Sequence, residues 1–145
     1  MKDEKHVREL ALNVEELELC GRLFMRSFPY DELAREYNGI GPEFFDPELR
    51  AKVTKFLAIF EPAALIHDMR NFKSDGQRDA FFYANWEFLE NCRKCADAAY
   101  PWWNWKRYRA RAVAKLLYDF VSGQSGWRAW MDCYEKTQKQ RSERQ

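Results

Sequence analysis

Apolar positions recur at helical spacing along most of the chain, and no stretch shows the alternation of a half-buried strand. Asn13-Val-Glu-Glu16 has the form of a capping box ahead of Val14, Leu17, Leu23 and Phe24. From Ser27 to Pro42 the residues Pro29, Asn38, Gly39, Gly41 and Pro42 predict mostly loop. Asp46-Pro47 predicts a helix start, followed by Leu49, Val53, Phe56, Leu57 and Phe60. Glu61-Pro62 resets the chain, and Pro62 opens a helix through Ala63, Leu65, Ile66 and His67. Asn71 to Gly76 breaks the pattern. A long amphipathic helix then runs from about Gln77 to Ala99, burying Phe81, Phe82, Asn85 or Trp86, Phe88, Leu89 and Cys92. Tyr100-Pro101 ends it. The next helix covers Trp102 to Val121, with Tyr108, Ala112, Leu116, Leu117 and Phe120 inward. Ser122 to Gly126 is a turn, and Trp127 to about Lys136 a last helix. The pattern predicts an all-α fold in one domain, residues 1–145, with a charged tail from about Lys136.

A chain of 145 residues, 46% hydrophobic and 17% aromatic, suits one buried core. Its net charge of +1 gives no global field for nucleic acid. Arg107, Arg109, Arg111 and Lys115 form a basic segment that reads first as a solvated helix face. No apolar run reaches the roughly 20 residues of a transmembrane span. The charged N-terminal tail, which holds His6, has no signal-peptide pattern, so a cytoplasmic protein with reduced thiols is expected. Two readings of the cysteines stand. Cys92 and Cys95 have metal-ligand spacing, and zinc on all four thiols is one reading; buried apolar thiols are the other. Tyr100, Trp102, Trp103, Trp105, Trp127 and Trp130 likewise form either core or a surface for peripheral membrane contact.

Chemistry concentrates at His67-Asp68, since His6 is the only other histidine. A short connection returns the next helix antiparallel, so Asp79 in its first turns is expected opposite His67, fixing the imidazole tautomer. Asp68 points to the other side of the cleft. Tyr37, Gly39 and Gly41 alternate in a glycine loop, and in extended backbone their carbonyls would face one way. Three carbonyls, Asp68 and water form a calcium cage, an ion that takes about six to eight oxygens. Calcium would polarise an ester carbonyl while His67 removes a proton from water.

Tyr37-Asn-Gly-Ile-Gly41, His67-Asp68 and Asp79 together resemble the phospholipase A2 superfamily. The likeness is nearest to small phage and bacterial phospholipase-A2-like proteins, through Asn38–Gly41, Ile66–Asp68, Asp79–Asn85 and Gly126–Trp130. It covers roughly Tyr37 to Trp130. The resemblance implies His67 as base, Asp79 as its partner, and calcium on Asp68 and the oxygens of Tyr37, Gly39 and Gly41. It implies a lipid substrate and a cytoplasmic or phage-associated setting, with the oligomeric state open. Two departures stand out. Leu65 and Ile66 replace the cysteines of secreted members, and Met69, Arg70 and Asn71 precede the first aromatic, Phe72. The leading expectation is calcium-dependent hydrolysis of an acyl ester. Its rivals are a non-catalytic relative with an interaction or structural role, and a zinc-stapled binding module.

Overall fold

A computed structural model gives the fold; it describes residues 3–40, 46–54 and 56–144, without the side chains of Leu49, Lys52 and Val53. The described residues form eight helices and no strand. These are α1 Glu4–Glu16, α2 Arg22–Met25, α3 Tyr30–Glu36, α4 Pro47–Thr54, α5 Leu57–Phe72, α6 Arg78–Ala99, α7 Trp105–Val121 and α8 Gln124–Arg144. Helices α5, α6 and α7 follow one another antiparallel through short connections and form the centre. Helices α1 and α3 cover α5 on one side, and α8 lies against α5 and α7. The all-α expectation holds, and no helix is long and apolar enough to cross a membrane among the described residues.

Several boundaries differ from the sequence reading, each for a local reason. The N-terminal segment is helix α1, started by the Asp3 side chain accepting from Lys5 N at 3.1 Å. Val7, Leu10 and Val14 form its buried stripe, so the Asn13 box lies in its last turn. Tyr30–Glu36 is helical because Pro29 takes the extended cap conformation and Asp31 and Glu32 favour the positive helix end. Pro62 lies inside α5 instead of opening it. Helix α8 takes in Ser125 and Gly126 at its start and carries the charged tail as helix to Arg144.

The inward face of α7 is Ala110, Val113, Ala114 and Leu117, while Tyr108 and Leu116 are exposed. On α6 it is Phe81, Ala84, Asn85, Phe88, Leu89, Cys92, Cys95 and Ala96, with Phe82 and Trp86 outside. Small side chains on both helices permit close approach, and that outweighs the pull of the larger aromatics. Buried polar groups pin the neighbours. Asn91 takes both backbone groups of Cys20, at 2.8 and 2.9 Å. Glu87, 1% exposed, holds Arg70 of α5 through two bonds at 3.0 and 2.9 Å.

Candidate functional site

His67 stands five residues before the end of α5, so its partner on α6 must lie a similar distance past the turn. That partner is Asn85, whose Oδ1 lies 2.9 Å from His67 Nε2. Asn85 Nδ2 donates to the Val121 carbonyl at 3.4 Å. A carbonyl only accepts, so the amide NH2 must face Val121 and the amide oxygen must face the imidazole. Nε2 therefore carries the proton and donates to Asn85, leaving Nδ1 as the lone-pair nitrogen. Nδ1 has no hydrogen-bond partner among the described residues, nor is it among their sealed polar atoms. Burial holds the His67 pKa below its ordinary value, and the bond to Asn85 opposes this only in part. The ring also packs on Phe88, centroids 4.8 Å apart. The site thus contains a neutral imidazole of fixed tautomer.

Gly126 completes this chain. A Cβ there would overlap the Val121 carbonyl oxygen. Only glycine lets the first turn of α8 pack over that carbonyl while Val121 still accepts from Asn85.

Asp79 is elsewhere. It is the second residue of α6, its side chain is exposed, and it makes no hydrogen bond to His67 among the described residues. It sits six residues, about 9 Å, before Asn85 and about 120° around the helix from it. The expectation of a His67–Asp79 pair is corrected to His67–Asn85.

Asp68 faces the glycine loop, and its bonds to the described loop residues are with N–H groups. Asn38 N and Gly39 N both donate to Asp68 Oδ2, at 2.8 and 3.0 Å. Gly39 has φ +77°, a left-handed conformation that lets successive N–H groups converge on one oxygen. The extended alternation needed to aim the Tyr37 and Gly39 carbonyls together is therefore absent, and Gly41 lies outside the described residues. Tyr37 is buried, and its hydroxyl donates to Glu61 Oε1 at 3.0 Å. Burial first, and the Glu61 charge second, raise its pKa. His6 Nε2 meets the same Glu61 oxygen at 3.2 Å, tying α1 to α3 and α5. Asp68 thus latches the loop through its N–H groups, where the expected calcium cage calls on loop carbonyls.

Two clefts meet at this latch. One, of about 510 Å3, has His67 in its wall and is otherwise mostly apolar, with Ile40, Ala64, Phe81, Phe88, Leu117, Phe120 and Val121. The first turn of α8 enters it through Ser125 and Gly126. The other, of about 600 Å3, is charged, with Glu32, Arg35, Glu36, Lys136 and Arg144. Asn38, Asp68, Asn71 and Ala129 border both.

The thiols do not converge. Cys92 and Cys95 are buried in the core, Cys20 leads into α2 and Cys133 borders the charged cleft. Burial pushes Cys95 up to about 12 and Cys92 well above its ordinary value. No group of three or more histidine, cysteine or acidic residues able to hold a metal occurs among the described residues. Sequence reasoning missed the roles of Asn85, Gly126 and Glu61. Asn85 left a signal, as a polar residue on the apolar stripe of α6 with Phe81, Phe88, Leu89 and Cys92. No family model, no curated protein and no solved structure matches the chain.

Proposed function

We propose that the His67 cleft hydrolyses an acyl ester of an amphiphilic, lipid-like substrate. The observation carrying this reading is the one-sided bonding of His67, with Nε2 tied to Asn85 and Nδ1 without a partner among the described residues, in an apolar cleft. An acyl chain suits the apolar cleft, and a polar head group the charged cleft beside it. Water between Nδ1 and the ester carbonyl gives its proton to Nδ1 as its oxygen attacks the carbonyl carbon. The tetrahedral oxyanion faces the first turn of α8, where the N–H groups of Ser125 and Gly126 have no acceptor among the described residues. Collapse breaks the ester bond, and the leaving alkoxide takes the proton back from Nδ1. Asn85 keeps the imidazole oriented throughout, as the third group of a triad does. The resemblance to phospholipases A2 supports the same reaction class.

No step passes through calcium. Asp68 directs Oδ2 to the N–H groups of Asn38 and Gly39, so its role in this reading is to hold the loop. The test is fatty-acid release from phospholipid vesicles and from soluble fatty-acyl esters, in calcium and in chelator. His67→Ala should lose at least about a hundredfold in rate. Equal rates in calcium and chelator are expected. Unchanged activity in His67→Ala refutes the base, and strict calcium dependence refutes the calcium-free route.

A second reading, a cleft that binds an acyl chain without cleaving it, is favoured by one observation. The loop N–H groups best placed to receive an anion are already engaged by Asp68. Tight binding of a fluorescent fatty acid with no turnover of any ester would select it.

A further inference from the structure

The α6–α7 connection displays three indoles. Trp102 and Trp103 are each 71% exposed and Trp105 is 59% exposed, far beyond what isolated surface aromatics need. The display is braced. Pro101 accepts from Asn104 N at 2.9 Å, and the Asn104 side chain caps α7 by accepting from Lys106 N at 3.0 Å. Tyr108 donates its hydroxyl to the Trp102 carbonyl at 2.7 Å. The indoles are thus held outward on a convex tip by a rigid turn.

The charge around this tip is mostly positive. Residues 97–111 contain four basic side chains and one acid, Asp97. Arg107 and Arg111 both bond Asp97, at 2.8 to 2.6 Å. Lys106 and Arg109 have no ion pair among the described residues, and Arg109 lies 5.0 Å over the Trp105 ring. Exposed indoles beside free cations suit the boundary of an anionic bilayer, where the rings sit at head-group level and the cations meet lipid phosphates. A stacked nucleic acid fits less well. The Trp102 and Trp103 planes stand at 88° to one another, 6.0 Å apart, so they offer no common face to successive bases.

We propose that the Trp102–Trp103–Trp105 tip, with Lys106 and Arg109, docks on the surface of a membrane containing anionic lipid. The surface is independent of the hydrolytic reading. The His67 cleft takes Leu117, Phe120 and Val121 near the far end of α7, about 18 to 24 Å along the helix from Trp105.

The test is flotation of the full chain with phosphatidylcholine vesicles, with and without about one third phosphatidylglycerol. The wild type should float with the anionic vesicles and much less with phosphatidylcholine alone. Trp102→Ala/Trp103→Ala/Trp105→Ala should weaken binding about tenfold or more. Lys106→Gln/Arg109→Gln should weaken it about fivefold per charge. Circular dichroism checks that these exposed changes leave the helices intact. Wild-type protein that does not float overturns the proposal, as does a triple variant that floats like the wild type. Quenching of tryptophan by single-stranded oligonucleotide without vesicle binding also overturns it, and assigns the tip to nucleic acid.

Discussion

Asn85→Asp places a carboxylate 2.9 Å from His67 Nε2 with almost no change in volume. Charge centres about 4 Å apart at an effective dielectric near 20 attract by about 4 kcal/mol. Desolvation of the new carboxylate takes back part of this, and the balance moves the His67 pKa upward. The variant also loses the Nδ2 bond to Val121 and sets an oxygen against that carbonyl, costing about 2 kcal/mol of stability. In the wild type, the folded pKa of His67 lies below the unfolded one. Its neutral form then contributes stability that is present above the unfolded value and lost as pH falls through the folded value. In the variant the new charge moves the folded pKa upward, so less stability is lost as pH falls. Nitrogen NMR titration of the ring, with denaturant unfolding between about pH 5.5 and 8, reads both effects. A wild-type ring protonated on Nδ1 in its neutral form, or equal His67 pKa values in the two proteins, would refute the assigned relay.

Other outcomes follow from neighbouring contacts. Gly126→Ala should cost about 2 kcal/mol in denaturant unfolding, since its Cβ displaces the Val121 carbonyl, and should loosen the His67 tautomer seen by NMR. Asp68→Ala frees Asn38 N and Gly39 N, so their amide hydrogen exchange should accelerate, with about 2 kcal/mol lost in unfolding. Thiol titration should find four reactive groups after denaturation without reductant, while Cys92 and Cys95 react slowly in the native state because they are buried.

Helix content was legible because apolar positions recur with a 3.6-residue period in α6 and α7, whereas α5 is apolar on most sides and Pro62 obscured its continuity. Faces were less so. On α7 the bulk of Tyr108 and Leu116 suggested the inward side, yet Ala110 and Ala114 face α6, because close helix approach rewards small residues. His67 and Asp68 were legible as neighbours on one helix, and both border the cleft. The partner of His67 was not. It depends on where α5 stops and α6 starts, and a shift of six residues along α6 separates Asp79 from Asn85. The loop's left-handed Gly39 reversed the expected role of its backbone, presenting N–H groups to Asp68 where carbonyls were expected. No residue pattern encodes that conformation, since glycine permits both.

The pH dependence of kcat/KM for ester hydrolysis tests the central claim most directly, measured beside the NMR titration of His67 in wild type and Asn85→Asp. A base acting through Nδ1 puts the acidic limb of the wild-type profile at the His67 pKa, and moves that limb upward with the pKa in the variant. A limb that stays in place while the His67 pKa moves would contradict it.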